Sequence, residues 1–163
     1  MIIALVGPKG AGKSTIGRML HAPPDVVFLD VESLAQRGLA EVGGTIDERY
    51  AARVFEETVR AIEGLASRVV IVESTAASAS TQAYFDALGR ARPVRFVRVG
   101  AGEETCAERI TTRDQTRHVA VSADMIRAMH ARSVSVVLPW SLASPRVTSS
   151  TRRRGRGSRT GAR

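Results

Sequence analysis

Nine consecutive residues near the start of the chain, Gly7, Pro8, Lys9, Gly10, Ala11, Gly12, Lys13, Ser14 and Thr15, have the types and spacing that hold a polyphosphate. They fit a glycine, four residues of any kind, then Gly-Lys-Ser/Thr. In that pattern the glycines turn successive backbone N–H groups inward, and the helix that follows adds the positive end of its dipole. Lys13 then reaches the β- and γ-phosphates of a nucleoside triphosphate, and the Ser14 hydroxyl holds Mg²⁺. ATP and Mg²⁺ are therefore the expected ligands of this stretch.

Three further groups could act on that phosphate. Asp30 closes an apolar run, Val-Val-Phe-Leu-Asp, and Glu32 follows two residues later. A carboxylate at the carboxyl end of a parallel strand can take a proton from a substrate hydroxyl or hold a metal through water. Asp30 is the expected catalytic acid-base group and Glu32 the lesser candidate; the alternative for Asp30 is a cap on the helix after it. Glu73 closes a second apolar run, Val-Val-Ile-Val-Glu, in the form of a Walker B segment, where it would hold the Mg²⁺ shell through water. Arg109, Arg113 and Arg117 recur every four residues, so one continuing helix would stack them on one face. Like charges stacked that way repel by about a few tenths of a kcal/mol per pair, whereas guanidinium groups facing a triphosphate fork onto its oxygens. The alternative is a set of exposed arginines, since Lys9 and Lys13 are the only lysines in the chain.

The elements that must position these groups follow from hydrophobic period and punctuation. Residues 2–6 are apolar and rich in β-branching, as a strand buried on both faces requires, and 14–20 read as a helix. Pro23 and Pro24 end that unit, and strands are expected over 26–30, 68–75 and 94–99. The last carries Arg95 and Arg98 between apolar residues and reads as an outer strand. Helices are expected over 33–41, 46–65, 78–88 and 103–110. Thr45 with Glu48 has capping-box spacing, and Ser122 caps a helix running through Met125 and Met129. Residues 134–138 read equally as a fifth strand or a helix end.

A length of 163 residues suits one domain, and no run of about twenty apolar residues suggests a membrane span or signal peptide, so a cytoplasmic protein without membrane contact is expected. Cys106 cannot form an internal disulfide and reads as a small buried apolar residue; His118 and His130 lack partners at metal spacing. The net charge is +8, but residues 146–163 hold seven arginines and no acid, which leaves +1 for residues 1–145. The folded part is thus near neutral, and the Ser, Thr, Gly and Arg tail over 146–163 reads as disordered, with nucleic acid as the partner it could bind.

The glycine loop, the acid after strand two, Val-Ile-Val-Glu-Ser-Thr, and above all Glu-Arg-Ile-Thr-Thr-Arg-Asp-Gln-Thr-Arg over 108–117 with Val-Ala-Val-Ser-Ala-Asp-Met-Ile-Arg-Ala-Met over 119–129 resemble the kinase domain of bacteriophage polynucleotide kinase and the related AAA-type and zeta-toxin-like P-loop kinases. The resemblance covers residues 1–132. It implies an α/β three-layer P-loop NTPase fold with a parallel sheet of four or five strands, ordered 2-3-1-4 with a fifth beyond, as in nucleoside monophosphate kinases. It also implies transfer of the γ-phosphate of ATP to a hydroxyl, in that family the 5′-OH of a polynucleotide or nucleoside. Lys13 and Ser14 keep their roles, Asp30 resembles the general base, Arg117 the lid arginine on the transferring phosphoryl group, and Arg113 faces the donor phosphates or adenine. The position three after the acid, arginine in polynucleotide kinases, is Ser33 here, with Arg37 one helical turn on. The spacing Asp30-Val31-Glu32 is also similar to that of shikimate and gluconate kinases, so a small-molecule or nucleotide kinase is the second reading. A nucleotide-binding regulator or NTPase with a nucleic-acid-binding tail is the third.

Overall fold

In a computed structural model of the chain, residues 1–113 and 118–143 are described. Five strands alternate with helices: β1 Ile2–Val6, α1 Lys13–Met19, β2 Val26–Phe28, α2 Val31–Glu41, α3 Glu48–Glu63, β3 Val69–Ser74, α4 Thr81–Ala91, β4 Val94–Arg98, α5 Glu103–Thr112, α6 Ala123–Ser135 and β5 Trp140–Ala143. The sheet is parallel throughout in the order β2-β3-β1-β4-β5, which is the expected order with its fifth strand present.

The sheet separates two cores, because alternate residues of a strand point to opposite faces. Ile2, Ala4 and Val6 of β1 pack with Val70, Val72, Ile62, Tyr84, Phe85 and Leu88 under α3 and α4. Leu5 and Ile71 face the other way, onto Ala11, Phe28, Val99 and Cys106 beside α1 and α5. Three layers result. Helix α1 lies so close to β2 that a Cβ on Gly17 would come within 2.3 Å of the Phe28 ring, so only glycine permits that approach. Arg92 holds the far end of α3, donating to the carbonyls of Ile62, Leu65 and Ser67.

Four local expectations are corrected, and the one left open at 134–138 is resolved. β2 ends at Phe28, because Asp30 is already the N-cap of α2. β4 is not an outer strand: β5 pairs with it on the side away from β1, and the Arg98 guanidinium stacks on Trp140 at 5.0 Å. Residues 134 and 135 finish α6, so the fifth strand begins later, at Trp140. Asp47, not Thr45, caps α3 by accepting from the Tyr50 N–H at 3.0 Å, which frees Glu48 for contacts outside the helix. Helix α5 stops at Thr112 and Arg113 is extended (φ −78°, ψ 162°), so Arg109 and Arg113 do not share one helical face. Ser122 caps α6 as expected, accepting from the Met125 N–H at 3.2 Å.

Candidate active site

The glycine loop leaves β1 at Gly7, whose N–H donates to Ser74 O at the end of β3 (3.1 Å). Gly10 has φ +85°, and a Cβ there would also meet the Cys106 carbonyl at 2.5 Å, so the loop presses onto α5 in a conformation that L side chains rarely adopt. Lys13, only 6% exposed, curls back over this loop and donates to the carbonyls of Gly7 and Pro8, both at 2.8 Å. Burial lowers its pKa to about 8, with the charge of Glu73 opposing the shift. A buried ammonium held there is ready to meet negative charge. The Ser14 hydroxyl donates to both Glu73 oxygens, at 3.0 and 2.8 Å, so these two residues, 59 apart in sequence, meet at the mouth of the loop. A hydroxyl and a carboxylate side by side are hard oxygen donors of the kind Mg²⁺ takes alongside phosphate oxygens and water.

Glu32 stands on the other side of the loop, in the first turn of α2. Its carboxylate receives Lys9 Nζ at 3.2 and 3.4 Å and the Val119 N–H at 2.7 Å, and His118 Nδ1 lies 3.5 Å away. Burial pushes its pKa up, but Lys9, the Val119 N–H and His118 outweigh burial, and the group lies below the usual carboxylate range. His118 shifts down, first through burial and then through the charge of Arg113. Among the described residues the buried Nε and Nη2 of Arg113 have no hydrogen-bond partner, while the charges of Glu32 and Glu73 both reach it. A buried guanidinium with unmatched donors is a cost that phosphate oxygens would relieve. Arg109 donates to Gly10 O at 3.3 Å and so borders the same space.

These groups line one cleft of about 790 Å³, whose far wall is built by α3, α4 and α6. The cleft includes Lys9, Gly10, Gly12, Lys13, Ser14, Glu32, Glu73, Arg109 and Arg113. Asp30 is not part of it. One Asp30 oxygen accepts the Glu32 N–H at 3.1 Å as the cap of α2, the other pairs with Arg18 at 3.3 Å, and its side chain is 40% exposed. The expectation that Asp30 lies in the phosphate cleft is not met: it points along the start of α2 as a cap, and Glu32, in the first turn of that helix, lines the cleft instead. Arg117 lies outside the described residues, as does the tail over 146–163.

Lys9 and His118 enter the site without having been singled out as partners of Glu32. His118 had been set aside only as a metal ligand, and among the described residues no cluster of His, Cys, Asp or Glu suits a metal. Nothing in its spacing pointed to Glu32, 86 positions earlier. Cys106 is fully buried, as expected, and burial raises its thiol pKa. Among the described residues no helix is long and apolar enough to cross a membrane.

Residues 2–135 match the family described as "AAA domain". A shikimate kinase from Mycobacterium avium (strain 104) is 46% identical over 61 residues, which is 35% of this chain and 35% of that protein, so the match spans about a third of the curated relative. Among solved structures, a sugar kinase from Janibacter sp. HTCC2649 superposes with a TM-score of 0.61 at 15% identity, covering 89% of this chain and 84% of that one. A chain of the Pnkp1/Rnl/Hen1 RNA repair complex superposes with a TM-score of 0.62 at 19% identity, covering 82% and 43%. These two likenesses concern the fold.

Proposed function

The chain belongs to the AAA domain family, and we propose that it is a phosphotransferase that moves the γ-phosphate of ATP to an alcohol group of a small molecule. The observation that carries this is the meeting in one cleft of a phosphate loop with its buried Lys13 and a carboxylate, Glu32, fixed on the opposite side. In this reading the acceptor O–H gives its proton to Glu32 as its oxygen bonds to the γ-phosphorus. The bond from that phosphorus to the β–γ bridging oxygen breaks, and ADP leaves with the electron pair. Lys13 and Arg113 neutralise the phosphoryl oxygens, and Arg117 is proposed to join them from the segment after α5. Ser14 and Glu73 would hold Mg²⁺, which would supply neutralisation of the phosphate charge. There is little covalent work for side chains in such a transfer, so positioning and charge carry the rate.

The shikimate kinase segment and the sugar kinase fold support a small hydroxylated acceptor. The second reading, the 5′-hydroxyl of a polynucleotide, draws on the likeness of fold to the RNA repair chain. The experiment is incubation with γ-labelled ATP and Mg²⁺ alongside small alcohols and 5′-hydroxyl oligonucleotides. Label on a small alcohol supports the proposal. Label on the oligonucleotide selects the second reading, and label released only as free phosphate would point to an NTPase or regulator instead. For the tail over 146–163, nucleic-acid contact is tested by comparing the salt slope of binding in the full chain and in one ending at Pro145. Equal slopes would remove the tail from the interaction.

A further inference from the structure

The sheet order puts β3 between β1 and β2, and parallel strands gather their ligands beyond their carboxyl ends. The glycine loop leaves β1 on one side of β3, and α2 with Glu32 follows β2 on the other. The residue that follows β3, Thr75, therefore stands between the donor loop and the proposed base, and it lines the cleft at a half-buried position. Its carbonyl accepts from the Ser133 hydroxyl, but among the described residues its own hydroxyl has no hydrogen-bond partner.

The backbone around Thr75 is held in an unusual shape. Ala76 has φ +51°, in the left-handed region that a residue with a side chain seldom occupies. Four hydrogen bonds fix that shape: the Gly7 N–H donates to Ser74 O at 3.1 Å, the Ala76 N–H to Ser74 Oγ at 3.0 Å, Ser133 Oγ to Thr75 O, and Arg132 Nη1 to Ala77 O at 3.2 Å. Ser74, Ala76 and Ser133 are buried. A strained turn persists only where its surroundings over-determine it, and such turns cluster at sites that hold a group in one position. We infer that Thr75 is an acceptor-binding residue of the transfer, whose hydroxyl donates to the reacting oxygen of the alcohol while that oxygen's own proton points to Glu32. With both hydrogen bonds in place, the remaining lone pair of the oxygen faces the γ-phosphorus, which is the alignment a near-attack geometry needs. Thr75 gives up no proton and forms no covalent bond; it orients the nucleophile. The inference rests on the phosphotransferase reading with Glu32 as the base.

The test is initial-rate transfer from γ-labelled MgATP by the full chain to shikimate, gluconate and glycerol, with wild type, Thr75→Val and Thr75→Ser then compared on whichever of the three takes most label. Thr75→Val keeps the outline of the side chain and removes its hydroxyl. Its kcat/KM for the acceptor is expected to fall by roughly 10–100-fold, the scale of a lost orienting contact, while the KM for ATP stays within about 2-fold of wild type. Thr75→Ser, which restores the hydroxyl, is expected to recover most of the rate. A Thr75→Val protein with the wild-type kcat/KM for the acceptor would overturn the inference and leave the phosphotransferase reading standing. A matching rise in the KM for ATP would overturn it too, by making Thr75 a contact of the donor phosphates. So would an equal loss in Thr75→Ser with Tm lowered in both variants, since Thr75 would then serve only the fold of the turn. Label released by the wild type only as free phosphate would overturn this inference and the phosphotransferase reading together.

Discussion

The two ends of the cleft are built in opposite ways. The donor end comes almost whole from residues 7–15, where backbone conformation does the work and the side chains that matter, Lys13 and Ser14, follow the last glycine directly. One distant group, Glu73, completes it, and the pairing of Leu5 with Glu73 in the sheet places it there. The acceptor end has no such stretch. Glu32 comes from α2, its partners from the glycine loop and from residues 118 and 119, and the wall behind it from three more helices. A site made of backbone can be written as a short pattern. A site made of converging side chains is set by packing, and small shifts in cap or helix end decide which residue arrives.

The sharpest break in that comparison is at the donor end. Lys13→Ala removes the buried ammonium that curls back over the loop, and kcat is expected to fall by roughly 10²–10³-fold or more, as losses of preorganised charge in transfer sites do. The same lysine gives a pH signature. With its pKa at about 8, it is protonated below that pH and loses its charge above it. The kcat/KM for ATP should therefore decline on the alkaline side from about pH 8, because this ratio reports groups of the free enzyme. A profile flat to pH 9.5 would show that the lysine keeps its proton in the free protein.

At the acceptor end the corresponding test separates two carboxylates that lie two residues apart. Glu32→Gln is expected to lower kcat by roughly 10²–10⁴-fold, the range of a lost general base. Asp30→Ala is expected to keep turnover within a few-fold, since its side chain caps α2 outside the cleft, and to cost about 1 kcal/mol of stability for the lost cap. Urea denaturation alongside label transfer reads both. The reverse result, with Asp30→Ala inactive and Glu32→Gln active, would return the base role to Asp30.

These two acids also show where sequence stops informing. The strand order came from the family resemblance, while the apolar runs and glycine loop located the strands, because a buried parallel strand and a phosphate loop each impose a local composition. Lys13, Ser14 and Glu73 were legible for the same reason. Asp30 takes its alternative role as the cap of α2, and its preferred role as the base is the one that Asp30→Ala decides; the two acids lie two residues apart in sequence and only cap geometry distinguishes them. Arg113 was expected in the site, yet by way of a helix that stops one residue before it. His118 and the α3 wall left no local trace, because their relation to Glu32 exists only once α2, α3 and α6 are packed.

A smaller effect sharpens the contrast between Glu32 and an ordinary surface carboxylate. Lys9 is the strongest influence holding the Glu32 pKa down against burial. In Lys9→Met that influence is gone, and the folded carboxylate pKa rises. A base works only when deprotonated, so activity is lost as pH falls through its pKa. The acid limb of kcat/KM for the acceptor should thus move to higher pH in Lys9→Met, while Lys9→Arg restores it toward wild type. A mere loosening of the loop would lower the rate at every pH and leave the limb in place.

The smallest expected effect concerns the frame of the acceptor wall and not its chemistry. Glu48 joins the start of α3 to the start of α4 through Ser78, Ala79 and Ser80, and these hydrogen bonds, the Ala79 N–H foremost, bring its pKa from 4.5 down to about 2. A carboxylate depressed in this way contributes stability that is full above its unfolded value and disappears as pH falls through the folded one. Glu48→Gln should therefore lower Tm at pH 7 by about 2–4 °C, a modest loss because the group is exposed and screened. The gap between the two proteins should shrink from about pH 4.5 downward and close near pH 2. Because α3 carries Tyr50, Val54 and Phe55, the same variant should raise the acceptor KM more than the ATP KM. Equal rises in both would mean that α3 and the glycine loop move as one body, and the two ends of the cleft would not be independent after all.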